Sequence, residues 1–256
     1  MQQGDEQRFA GITRLYGEEK SKIISKAHIC VIGIGGVGSW VAESLVRTGI
    51  AEITLIDHDD VATSNMNRQI HTLSDTVGQS KIVVMADRLR QINPQIKINL
   101  IDDFITVKTY QAYLSRGFDY VVDAIDSIKF KVLMIHYCHR NSIPIITVGG
   151  AGGLTDPSKI EVIDLSRSFN DPLLAKIRSK LRRECGFSKN PKRKFGVDCV
   201  FSTQQQVYPK DDGTVSQQKP GIHGVSLDCR FGYGAASFVT GTFGFIAASH
   251  VIEKLK

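Results

Sequence analysis

The chain lacks the cysteine pattern of a disulfide scaffold or a zinc ribbon. Its five cysteines (Cys30, Cys138, Cys185, Cys199, Cys229) are scattered over 256 residues with no CxxC pair. An odd, widely spaced set reads as reduced thiols. The N-terminal stretch MQQGDEQRF has no apolar run, which argues against a secretory signal or an Arg-rich transit peptide and predicts a cytosolic protein. There is no internal repeat and no low-complexity tract. With 42% hydrophobic and 23% charged residues, the composition is that of a globular chain, long enough for one large domain or one with an appended lobe.

One stretch lacks charge altogether. Residues 236–252 carry no Asp, Glu, Lys or Arg, a run near the lower limit of about 17–25 residues for a membrane span. Glycine, threonine and serine dilute it and no aromatic belt frames it, so the expectation is a packed or dimer-interface helix, with membrane association as the lesser alternative. The opposite extreme is residues 176–194, where nine Lys/Arg face the single acid Glu184 within a chain of net charge +6. Such concentration suits either a phosphate-backbone partner or a solvated basic face.

Between residues 27 and 150 short apolar runs alternate with helical patterns, the signature of βαβ units around a parallel sheet. Strands are predicted at 27–32, 52–57, 97–102, 120–126 and 144–150, their apolarity implying burial on both faces. Crossover helices are predicted at 39–48, stopping at Gly49, and 80–93, stopping before Pro94. Beyond residue 155 the pattern is mixed: a strand at 160–165, a helix at 171–185, a strand at 197–203. The expected fold class is therefore α/β, a doubly wound, mostly parallel, Rossmann-like sheet with a mixed α+β C-terminal extension. The expected division is a core over 1–155 with an N-terminal arm, and a lobe over 156–256 continuing the same sheet.

In VIGIGGVGSW, Gly33, Gly35 and Gly38 form GxGxxG directly after a strand and at the start of a helix. Glycines there let backbone approach phosphate, and the helix N-terminus offers unpaired N–H groups to an anion. Asp57 closes the next strand, where a carboxylate can accept from ribose hydroxyls. These features alone fit NAD at least as well as ATP. The stretch from Asp57 onward separates the two: DHDDVATSNMNRQIHTLSDTVGQSK is a polar loop dense in acids, amides and bases where a dehydrogenase would enter its next helix.

This loop resembles the ubiquitin-activating-enzyme-like superfamily, through Asp57, Asp59, Val61, Ser64, Asn65, Arg68 and Gln69, then Gly78 and Lys81, then Asp126 in DAIDS (123–127). The resemblance implies ATP-dependent adenylation of a carboxylate. On it, Gly33, Gly35, Gly36, Gly38, Asp57, Asp59, Asn65, Arg68, Gln69 and Lys81 bind ATP, Arg68 and Lys81 hold the polyphosphate, and Asp126 associates with Mg²⁺. Within the superfamily the chain looks most similar to the tRNA threonylcarbamoyladenosine dehydratases, through RFAGITRLYG near the start, the glycine turn, DDVATSNMNRQIH, VGGAGG (148–153) and GVDCVFST (196–203). The implied reaction activates the threonyl carboxylate at position 37 of tRNA, whose neighbouring ureido nitrogen then closes a five-membered ring.

With that resemblance, the basic segment is expected to contact tRNA through Lys180, Arg182 and Arg183 on the predicted helix and through Lys192, Arg193 and Lys194 in a following loop that orders on RNA. The resemblance also implies a homodimer in which Arg14, in preference to Arg8, reaches the partner's phosphates, and raises a cysteine-desulfurase or sulfur-acceptor partner. The main alternative is an adenylating enzyme for a ubiquitin-like sulfur carrier, which the absent CxxC pairs oppose. An NAD-linked oxidoreductase and a non-catalytic RNA-binding relative are further rivals. A tethered nucleophile requires no thioester, so no cysteine is expected to be catalytic, although Cys185 beside Arg182 and Arg183 is the one whose pKa neighbours could lower. His136 and His139 share a helix face without an evident third metal ligand.

Overall fold

A computed structural model describes residues 3–210, 212–218 and 234–256; Cys229 lies outside them. The elements in chain order are α1 (Gln3–Ile24), β1 (His28–Ile32), α2 (Gly38–Arg47), β2 (Glu52–Ile56), α3 (Lys81–Ile92), β3 (Lys97–Ile101), α4 (Tyr110–Leu114), β4 (Tyr120–Asp123), α5 (Ile128–Arg140), β5 (Ile145–Val148), β6 (Ile160–Asp164), α6 (Pro172–Glu184), β7 (Asp198–Ser202), the short strands β8 (Tyr208–Pro209) and β9 (Val215–Ser216), and α7 (Ser237–Lys254).

Seven strands form one sheet in the order β3-β2-β1-β4-β5-β7-β6, and only β6 runs antiparallel to its neighbour. The period-2 alternation of side chains divides the apolar residues between two faces. Ile29, Val31, Ile53, Leu55, Val122 and Val148 meet α2, α3 and α7 on one side. Cys30, Ile32, Ile56, Val121, Cys199 and Phe201 meet α4, α5 and α6 on the other. The fold is thus a doubly wound α/β sheet. Chain order reverses direction between β1 and β4, which opens the crevice at the strands' C-terminal ends where such folds bind ligands.

Two expectations need correction, and the N-terminal arm gains a definite form. β3 is not buried on both faces: it is the sheet's edge, with Lys97 and Leu100 exposed, because the order places nothing beyond it. The strands predicted to run to Asp126 and Gly150 end at Asp123 and Val148, which releases two loops at the crevice edge. The N-terminal arm is a helix, kinked at Gly17 (φ +80°), with Phe9 seated against Gly49.

The uncharged C-terminal stretch is α7, whose Val239, Phe243, Ala247 and Val251 are buried in the core it shares with α2 and the sheet. Gly244 makes that contact possible, since a Cβ there would come within 2.7 Å of Trp40 Cβ. No described helix is long and apolar enough to cross a membrane.

Candidate functional site

The site grows from the end of β1. Gly33 takes φ +87°, and a Cβ on Gly38 would lie 1.8 Å from the Gly33 carbonyl oxygen, so only glycine lets the first turn of α2 close onto the strand. The residue that precedes α2 provides no side-chain cap, and the first turn carries no acid. The Ser39 and Trp40 N–H groups bond back to the Gly35 and Val37 carbonyls (3.2 and 3.1 Å), so it is the glycine turn ahead of them, with the positive end of the helix dipole behind it, that faces an anion.

Asp57, following β2, ties the turn down. Its carboxylate accepts from the Ile34 N–H (2.5 Å) and, through the other oxygen, from the Asp59 N–H (2.8 Å). The polar loop then folds back over the glycines. Arg68 lies across Gly36, its Cγ and Cδ 3.2 Å from where a Cβ would stand, and Gln69 reaches Gly35. Trp40 Nε1 donates to the Arg68 carbonyl (2.9 Å), which anchors the loop on α2, while Arg68 Nη1 donates to the Ser64 carbonyl (2.8 Å). Asn65 is buried and its Oδ1 accepts from the Ala62 N–H (3.1 Å); it shapes the loop.

Lys81 opens α3 with 5% exposure, its Nζ donating to Asp59 Oδ2 at 2.7 Å. Behind it His71 is 1% exposed. Burial, reinforced by the Lys81 and Arg88 charges, lowers the His71 pKa to about 4, so this imidazole is neutral near pH 7 and adds no positive charge to the site. From the other side of the crevice, loop 124–127 brings Ile125 against Gly33 and leaves Asp126 exposed at the strand's end.

Gly33, Gly35, Gly36, Gly38, Asp57, Asp59, Asn65, Arg68, Gln69, Lys81 and Asp126 therefore surround one crevice. Arg14 is not brought there within its own chain. It is exposed on α1, whose contacts include Arg8 Nη1 to the Ile92 carbonyl (2.7 Å) and Phe9 to Gly49, at the C-terminal ends of α3 and α2 and so at the opposite edge of the sheet.

The basic segment has its own geography. α6 starts at the crevice edge, where Asp171 accepts from the Gly150 N–H (2.9 Å), and runs to the far edge, where β7 begins. Lys192, Arg193 and Lys194 are exposed there, in a loop anchored by buried Phe187 and Phe195. Arg182 lies over the Phe195 ring at 5.1 Å, and Arg183 and Lys180 both pair with Glu184. The loop thus has anchors within the protein at Phe187 and Phe195.

Cys185 departs from expectation: its pKa is raised, by burial and then by Glu184. His136 and His139 both stack near Phe187, with centroids 6.4 and 4.8 Å from it.

A buried cluster that the sequence alone does not reveal lies beneath loop 124–127. Lys131 and Asp123, both fully buried, pair at 3.0 Å; Lys131 Nζ also donates to the Asp123 carbonyl (3.1 Å) and Thr147 Oγ1 (3.0 Å), and Thr147 donates to Asp123 Oδ2 (2.7 Å). The DAIDS stretch contains the acid, but its partners come from α5 and β5.

A glycine turn at the switch point, flanked by two cations and a strand-end carboxylate, defines a nucleotide-binding α/β protein suited to a polyphosphate. The chain belongs to the ThiF family, whose model matches residues 8–256. It is 54% identical over 250 residues to the tRNA threonylcarbamoyladenosine dehydratase of Escherichia coli (strain K12), covering 97% of this chain and 93% of that protein. It is 52% identical to the Haemophilus influenzae protein of that name, covering 98% and 94%. Among solved structures, the E. coli enzyme in complex with ATP superposes with a TM-score of 0.88 at 50% identity, covering 99% of this chain and 95% of that one.

Proposed function

We propose that this chain is an ATP-dependent tRNA threonylcarbamoyladenosine dehydratase. The observation that carries the reading is similarity to enzymes of that name along almost the whole length of both chains; a crevice edged by the glycine turn, Asp57, Arg68, Gln69 and loop 124–127 is consistent with it.

The chemistry begins with attack of the threonyl carboxylate on the α-phosphorus of ATP, with pyrophosphate leaving. The ureido nitrogen then attacks the activated carbonyl, loses its proton, closes the ring and expels AMP, so the net change in the nucleoside is loss of water. Arg68 and Lys81 offset charge on the phosphate oxygens, and the α2 N-terminus receives one of them. Gln69 is 5% exposed and its Oε1 has no partner among the described residues, a polar group consistent with a bound ligand beside Gly35. Ring closure needs no enzyme nucleophile because both reacting groups are on one side chain.

Mg²⁺ fits the site in a limited sense. No group of three or more metal-ligating side chains occurs among the described residues, and exposed Asp126 would be a single protein ligand beside phosphate oxygens and water, the arrangement this ion favours. When bound, the ion supplies charge neutralisation on the polyphosphate. The reading includes a homodimer in which Arg14 reaches the partner's crevice, a cytoplasmic setting, the division at residues 155/156, and tRNA phosphates along α6 and its following loop. The test is incubation with ATP, Mg²⁺ and threonylcarbamoyladenosine-containing tRNA, then mass analysis of the digested nucleosides. Loss of one water with AMP release is expected; an unchanged nucleoside with well-folded protein overturns the proposal.

A further inference from the structure

Beyond the nucleotide crevice, the C-terminal edge of the sheet carries a second concavity. The first two turns of α6 and residues 205–208, which follow β7, bound a cleft of about 350 Å³, walled by Pro172, Ala175 and Tyr208 and lined by Asn170, Arg178 and Gln206. In the strand order β1-β4-β5-β7 the strand that leads into it stands three spacings from the strand that carries the glycine turn, about 14 Å at the usual separation. It opens at the same edge as Asp126.

Its lining is unusual for a surface dent. Gln206 is 5% exposed, yet its Oε1 has no hydrogen-bond partner among the described residues, a costly state for a buried amide unless a ligand completes it. Arg178 is half-buried, tethered to Ser168 Oγ, and burial followed by Arg182 lowers its pKa, so its remaining N–H groups favour an anionic or strongly accepting partner. Asn170 holds a left-handed backbone (φ +53°) at the rim and donates to the Thr203 carbonyl (2.9 Å). The floor is rigid, since both Asp171 carboxylate oxygens are engaged, by the Leu174 and Gly150 N–H groups at 2.9 Å each.

Apolar walls with amide and guanidinium groups between them match an unstacked nucleobase with its ribose-phosphate, which single-strand RNA readers hold by stacking and edge hydrogen bonds. The helix that forms one wall continues into Lys180, Arg183 and the exposed cations of the following loop, a phosphate track leading away from the cleft. The spacing also fits: a base seated here can extend a carboxylate-bearing substituent along the strand ends toward the glycine turn.

We propose that this cleft seats the purine that is to be modified, unstacked from its RNA loop, with Gln206 reading the base edge and Arg178 meeting its phosphate. This rests on the dehydratase reading, and it names residues that act on RNA rather than on ATP.

The test uses the full chain and two anticodon stem-loop RNAs, one carrying the modified adenosine and one with an abasic site at that position. The parent is expected to bind the base-bearing RNA about tenfold more tightly, the scale of one stacked and hydrogen-bonded base. Gln206→Leu should bring the two affinities together while its affinity for the abasic RNA stays at the parent's value. Ala175→Phe, at an exposed helix position, fills the cleft without disturbing the core and should do the same, which keeps the proposal testable if the Gln206 variant is unstable. A parent that does not discriminate, or an Ala175→Phe protein that still does, overturns the proposal. Base discrimination without any loss of water from the nucleoside would instead retain the cleft and remove the dehydratase reading.

Discussion

Lys131→Met is the perturbation whose consequence the structure determines most sharply. Lys131 and Asp123 have 0% side-chain exposure and pair at 3.0 Å, and Thr147 completes the cluster. Methionine preserves most of the volume but leaves the buried Asp123 carboxyl with only the Thr147 hydroxyl (2.7 Å) and the longer Ile125 N–H contact (3.4 Å). Breaking a buried pair from one side costs about 3–5 kcal/mol, a large fraction of the roughly 5–15 kcal/mol that holds a domain folded. For a chain of this size the melting temperature should fall by roughly 6–20 °C. Urea denaturation read by far-ultraviolet circular dichroism measures the free energy directly. The double variant Asp123→Asn/Lys131→Met removes both charges and should be less destabilised than Lys131→Met alone. A single variant within about 1 kcal/mol of the parent would refute the reasoning, since it would mean that Asp123 finds adequate solvation elsewhere. Because Lys131 also holds the last carbonyl of β4, the variant should bind ATP more weakly even at temperatures where it is folded.

Asp126→Ala, at an exposed strand-end position, should leave the melting temperature unchanged and lower AMP formation about 10²–10³-fold; near-parental turnover would remove its assigned role. His71 has a folded-state pKa lowered from 6.5 to about 4, so the unfolded chain binds more protons between those values. Its contribution to stability is complete above pH 6.5 and is lost as pH falls toward 4, by about 3 kcal/mol in all. His71→Phe should flatten the acid limb of a stability–pH curve over that window, and an unaltered limb would contradict the assignment. Cys185→Ser should retain turnover; a folded but inactive variant, or a trapped thioester, would restore a cysteine to the mechanism. Neutralising Lys192, Arg193 and Lys194 should make the salt dependence of tRNA binding shallower by about 0.7–0.9 per lost phosphate contact. An identical slope would mark the loop as a solvated face.

The strands and crossover helices were readable because their signals are local. Period-2 runs, glycine at a helix C-terminus and proline after a helix act within a few residues, and the predicted boundaries of α2, α3 and α6 fall within one or two residues of those observed. The candidate nucleotide residues could be singled out for a related reason: they lie in two contiguous stretches, and a glycine turn, an acid at a strand end and a basic loop each carry their chemistry in residue type and spacing. Pairings between distant stretches were not readable. That β3 is an edge depends only on strand order, and the raised pKa of Cys185 depends on its burial and on Glu184 beside it, while Arg182 lies over Phe195. Lys131 reads as one more cation on a helix until β4 and β5 bury it against Asp123 and Thr147. Residue type and periodicity thus determined which segments are helix or strand and which residues can hold phosphate. Burial and long-range pairing, which set the charge environment of His71, Lys131, Gln206 and Arg178, depend on which elements the sheet places side by side, and only the tertiary structure decided that.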